Sequence, residues 1–202
     1  VRKLRATGKQ MDQQSTKASR KPRADSVRNR ERLLEAATAI FRLGGAQASL
    51  EAVAREAGVG IGTLYRHFPT REALFDAVYR HEVDILANLA RELSTEDDPV
   101  AALKSWLQAN VRLVATKKGM IEGLQLAVVG SSELKAYSYE CLVGAIGLLL
   151  ERAAAAGMIR DDVSPDELLR TLLGIFYSHG PTDWQPTALR MVDVFVDGLR
   201  KR

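Results

Sequence analysis

A chain of 202 residues with 46% hydrophobic and 27% charged residues carries enough apolar material for one large or two small domains. Its one cysteine, Cys141, excludes an intramolecular disulfide and fits a reduced, cytoplasmic compartment, and the charge-free run Cys141 to Leu150 is about half the ~20 residues that span a bilayer, so no membrane helix is expected. The net charge of +4 is uneven: residues 1–32 hold eleven Lys/Arg against three Asp/Glu, a balance of +8, which leaves −4 for the remainder and points to a polyanion such as nucleic acid or to a membrane surface, the bland reading being a solvated tail.

Residues 1–25 have hardly a large apolar residue after Leu4 and predict a disordered basic arm. From Ser26 the spacing of Leu33, Leu34, Ala37, Ile40 and Phe41 predicts a helix over about 26–43, ended by Gly44-Gly45. Ser49 is an N-cap for a short helix through Ala57, stopped by Gly58. A third helix runs from Gly60 to His67, because Pro69 disfavours helix at Phe68. Thr70 then caps a long helix with the stripe Leu74, Val78, Ile85, Leu89 and Leu93.

Asp98-Pro99 opens the next helix, with Leu103, Leu107, Val111 and Val114 on one side and Lys117-Lys118-Gly119 as its expected end. A shorter helix is expected over Met120–Val129. Ser132–Ala156 follows, uncharged between Cys141 and Leu150 and so expected to be buried all round there. Ser164-Pro165-Asp166-Glu167 is a capping box for a helix reaching about Ser178, and the last helix starts near Pro186. Nothing alternates with period two for long enough to suggest a sheet. The expected fold is all-α with about nine helices.

The functional signal lies between Leu50 and Phe68. Ala54 is small where two helices must cross, Gly58 can take positive φ at a turn, and Leu64 can anchor the second helix, which is helix-turn-helix spacing. The run Ser49-Leu50-Glu51-Ala52-Val53-Ala54-Arg55-Glu56-Ala57-Gly58-Val59-Gly60-Ile61-Gly62-Thr63-Leu64-Tyr65-Arg66-His67-Phe68, followed by Arg71-Glu72-Ala73-Leu74, resembles the DNA-binding domain of the TetR/AcrR family of bacterial transcriptional repressors. The resemblance covers about residues 26–78; beyond it only the layout is similar.

The resemblance implies a recognition helix in which Tyr65 and His67 meet phosphates and Thr63 a base or phosphate, with Arg71 as a basic phosphate clamp. Ser49-Leu50 and Thr70 lie at helix N-termini, where backbone N–H groups favour a phosphate. Arg66 falls at a variable position from which it can pair with guanine. Gly62 belongs to the family's signature and is counted with the DNA-binding residues, whereas Gly60 and Ile61 depart from the pattern: many members carry Ser, Lys, Gln or Arg there, so base reading at the start of this helix is impoverished, although Ile61 can meet a thymine methyl.

Catalysis finds little support. His67, His81 and His179 lie far apart, no metal-ligand spacing, phosphate loop or nucleophile elbow is present, and neither a metal nor a cofactor is expected. The expected organisation is the arm at 1–25, a DNA-binding domain at 26–70 and a helical effector-binding and dimerisation domain at 71–202. Trp106, Asn110, Gln125, Tyr137, Cys141 and Phe176 are the candidate effector-binding residues, being large or polar among aliphatic helices. In the last helix Arg190, Asp193, Asp197 and Arg200 form a narrow polar stripe and the rest is apolar, more than one core contact can use. The dimer interface is accordingly expected at Leu172, Phe176, Met191, Val192, Phe195, Val196 and Leu199, which suits the four-helix interface of the family.

The expected function is a homodimeric repressor that leaves a near-palindromic double-stranded operator when a small apolar or aromatic effector binds. The alternative is a DNA-binding regulator or architectural factor with no effector.

Overall fold

Eight helices build the described part of the chain, with no strand among them: α1 (Ser15–Leu43), α2 (Leu50–Glu56), α3 (Ile61–His67), α4 (Arg71–Leu93), α5 (Pro99–Gly123), α6 (Ser132–Ala155), α7 (Pro165–Tyr177) and α8 (Trp184–Leu199). The structure is a computed structural model and describes residues 15–43, 48–124, 130–177 and 184–201.

The starts are those that cap chemistry dictates. Ser49 Oγ accepts from the Ala52 N–H at 3.2 Å, Thr70 Oγ1 from Ala73 at 3.1 Å, and Asp98 Oδ1 from Val100 and Ala101 at 2.9 Å each. The capping box closes reciprocally, Ser164 N–H donating to Glu167 Oε2 at 2.9 Å while Ser164 Oγ accepts from Glu167 N–H at 3.3 Å.

Two boundaries differ from the sequence reading. α1 begins at Ser15, not near 26, so residues 15–25 of the expected disordered arm are helical. Low hydrophobicity does not by itself exclude a helix, because Lys, Arg and Ala are good helix formers irrespective of burial. Residues 1–14 lie outside the described residues. α5, for its part, runs unbroken through Lys117-Lys118-Gly119 to Gly123, which absorbs the start of the helix expected at Met120–Val129; residues 125–129 are outside the described residues. Gly119 is there for proximity: a Cβ at this position would lie 1.7 Å from the Phe41 carbonyl oxygen, so the backbones of α1 and α5 touch. Nor is the uncharged stretch of α6 buried on all sides, since Gly144 and Leu148 face solvent.

One continuous core joins all eight helices. Trp106 at its centre is fully buried and donates its indole N–H to the Leu86 carbonyl at 2.8 Å, which fastens α5 to α4. The joint between the first three helices and the rest is polar: buried Glu82 on α4 accepts from Thr38 Oγ1 and Arg42 Nη2, both at 3.2 Å, and Arg42 also reaches Thr116 Oγ1 on α5 at 3.4 Å. Arg42→Ala should therefore leave a buried carboxylate short of its cation. A loss of about 1–3 kcal/mol is expected, tempered by the partial exposure of Arg42, and urea unfolding at constant m-value measures it. Double substitution Arg42→Ala/Glu82→Leu should recover part of that loss. At the far end, Arg160 N–H donates to Leu199 O at 2.8 Å and Lys201 N–H to Met158 O at 3.2 Å, tying the end of α8 to the turn after α6.

Candidate nucleic-acid interface and adjoining cavity

The turn between α2 and α3 is tight because Gly58 takes φ +63°, while Gly58 N–H and Val59 N–H close the end of α2 onto Arg55 O and Ala54 O at 3.0 Å each. Ala54, Leu64 and Phe68 are buried as the spacing required. Leu50 is buried with them, so its side chain serves the core and offers DNA at most its backbone.

What remains outside on α3 is one face. Ile61 and Gly62 lie one turn before Tyr65 and Arg66, and all four are exposed, Tyr65 at 45%. Thr63 and His67 are half-buried on its flank. Nothing lies within 4 Å of a Cβ built at Gly60 or Gly62, so the start of this helix presents bare backbone. The hydroxyls of Ser49 and Thr70 accept their capping bonds and keep their protons to donate outward.

Arg71 differs from expectation. Its Nη1 donates to the Leu124 carbonyl at 3.1 Å, so this cation sits at the C-terminal, electronegative end of α5 and joins the α3–α4 corner to it.

The expected effector residues do not gather. A cavity of about 180 Å³ opens between α4, α5, α6 and α7, lined by Phe75, Tyr79, Lys117, Leu134, Leu142 and Leu169 among others, and its described lining includes none of Trp106, Asn110, Tyr137, Cys141 and Phe176. Trp106 is core, and Asn110 is buried with an Nδ2 that has no hydrogen-bond partner among the described residues. Phe176 is buried edge-on to Trp184, with centroids 6.4 Å apart. The Tyr137 hydroxyl donates to Asp84 beneath the Arg80 guanidinium, 4.1 Å from its ring, and that hydrogen bond holds the phenol up at about 12; half-buried Cys141 lies beside it. Gln125 lies outside the described residues. Its walls come from four successive helices, with lining residues spread from Phe75 to Leu173, so no local pattern marks them.

The expected dimer residues are out of phase. Leu172, Phe176, Val192, Val196 and Leu199 are buried within the subunit, because α8 turns the stripe Trp184, Ala188, Val192, Val196 and Leu199 inward. Of the expected set only Met191 is exposed and Phe195 half-buried. The apolar side chains left outside are Leu173 and Tyr177 on α7 and Leu189, Met191 and Val194 on α8, Val194 being 65% exposed.

Residues 33–78 match the family described as bacterial regulatory proteins, tetR family, and residues 98–201 match the C-terminal domain of SbtR-like transcriptional regulators. A TetR transcriptional regulator of Streptomyces coelicolor has a similar structure, 39% identical with a TM-score of 0.72, over 85% of this chain and 98% of the other. A TetR regulator of Mycobacterium vanbaalenii is 34% identical with a TM-score of 0.69, over 89% and 99%. An HTH-type transcriptional regulator of Staphylococcus aureus is 33% identical over 75 residues; that match spans 37% of this chain and only 40% of the relative.

Proposed function

Because this chain belongs to the TetR family of bacterial transcriptional regulators, and is thus a DNA-binding regulator and not an enzyme, we propose that it works as a homodimeric repressor whose hold on a near-palindromic operator is loosened by a small effector. Tyr65 and Arg66 face the major groove, Thr63 and His67 flank them against the backbone, and Ser49 and Thr70 meet phosphates. A second copy joins through the outer faces of α7 and α8.

One observation carries the effector: α4 starts at the corner beside α3 and one turn later lines the cavity with Phe75, then with Tyr79. About 6 Å of stiff helix therefore separates the DNA-facing corner from the chamber. An occupant that fits only one spacing of the two heads must change operator affinity, and operator must change its affinity by the same factor, typically 5- to 150-fold.

Selection from random DNA tests the first half. Near-palindromes with half-site centres about 34–36 Å apart, or a multiple of that, are expected. Arg66→Ala should relax one base position by about 1–3 kcal/mol while leaving the half-site spacing unchanged. An unaltered base preference in Arg66→Ala would remove that residue from direct readout. For the second half, calorimetric titration of a candidate effector with and without operator must give unequal affinities; equality leaves a regulator without that effector.

A further inference from the structure

The cavity carries its charge in an unusual way. Lys117 and Lys135 line it, and among the described residues no Asp or Glu does. Lys117 Nζ makes no ion pair within the described residues; its neighbours are the rings of Tyr79, 5.1 Å to the centroid, and Tyr177, 6.0 Å. Burial, and then repulsion from Lys135, pulls the Lys117 ammonium below the ordinary lysine range. By contrast the adjacent Lys118 is occupied, donating to Phe176 O at 2.8 Å over the Trp184 ring. A partly desolvated ammonium in a mostly apolar chamber, with no counter-charge among the described residues, is an unfavourable arrangement that an anion would relieve.

Size narrows the occupant. An apolar cavity of about 150 Å³ holds benzene, and this one measures about 180 Å³. We propose that the cavity takes a small organic monoanion, a single-ring or branched carboxylate, with its apolar body among Phe75, Leu134, Leu142 and Leu169 and its carboxylate on Lys117. The Tyr79 hydroxyl, which burial keeps protonated up to about 12 and which meets Ser138, adds a neutral polar group to the same lining. Lys117 also lies two residues before Gly119, the point where α5 touches the α1 backbone, so the ion pair forms within a turn of the joint to the DNA-binding helices. This inference rests on the reading of the cavity as the effector chamber.

The test uses the full-length chain with benzoate, its neutral isostere benzamide and cationic benzylamine as probes, binding followed by protein-observed NMR. Benzoate should bind about tenfold or more tightly than benzamide, as a charge-assisted hydrogen bond supplies, and benzylamine should be excluded. Lys117→Met should abolish the preference and Lys117→Arg should keep it; Lys117→Gln serves if the Met variant folds poorly. Equal or tighter binding of benzamide, a benzoate preference that survives in Lys117→Met, or no benzoate binding at millimolar concentration would each overturn the proposal. Operator affinity in the same samples separates it from the effector reading. A Lys117-dependent benzoate site that leaves operator affinity unchanged keeps the anion site and removes the effector role. Operator release by a neutral compound, with no benzoate preference, does the reverse.

Discussion

Val194→Glu should yield a folded monomer that has lost most of its operator affinity, and Val192→Glu, two residues away, should yield no stable fold. Val194 is 65% exposed on the outer face of α8, so a carboxylate costs the isolated subunit little, within about 0.5 kcal/mol of wild type. Across a two-fold axis the same carboxylate meets its own symmetry mate and is desolvated as well. Each head alone then holds one half-site, and the loss of linkage lowers operator affinity by roughly 10²- to 10⁴-fold. Val192 points inward with no exposed surface, and an unpaired charge there costs several kcal/mol out of a total stability of about 5–15. Sedimentation and circular dichroism on the pair decide the matter. A well-folded Val194→Glu dimer would move the interface to another face.

Gly119→Ala is expected to be the most damaging glycine-to-alanine substitution among the described residues. Its Cβ would overlap the Phe41 carbonyl oxygen at 1.7 Å, and because that neighbour is backbone, α1 and α5 must separate. Overpacking of this kind costs about 1–3 kcal/mol or more. The control is Gly144→Ala, also mid-helix but with nothing within 4 Å, which should gain about 0.5–1 kcal/mol from helix propensity alone. Thermal melts should therefore move in opposite directions, by about 2–4 °C per kcal/mol for a chain of this size. Parallel shifts would mean that α1 and α5 do not depend on that contact. Because α1 carries the DNA-binding helices, Gly119→Ala should also weaken operator binding, an effect Gly144→Ala should lack.

Gly58 and Gly119 mark the difference between what was legible in the sequence and what was not. The helix-turn-helix could be read because its determinants are local: a cap at Ser49, a positive-φ glycine at Gly58 and an anchor at Leu64 stand at fixed offsets within one short stretch. Gly119 could not, since a glycine after two lysines at the end of an apolar stripe looks the same whether it stops a helix or admits a neighbouring backbone. Only the partner, Phe41, distinguishes the cases, and it lies far away in sequence. The dimer face failed for a related reason. A helix that is apolar on most sides has two candidate stripes, and periodicity does not say which one α5 claims. Lys117 was hidden twice over, once as an assumed helix end and once because a lysine is by default a solvated surface residue.

The bare start of α3 bears on how such a regulator changes its operator. At Gly62 a new side chain would enter open space on the exposed face, and within the helix it would gain propensity instead of losing packing. Gly60 has φ −72° and ψ 150°, a conformation open to any residue, and a Ser or Asp there would add the capping bond that α3 now lacks. New base contacts can therefore be acquired one substitution at a time, with stability held or improved at each step. A library confined to these two positions would vary the exposed start of α3 without cost to packing.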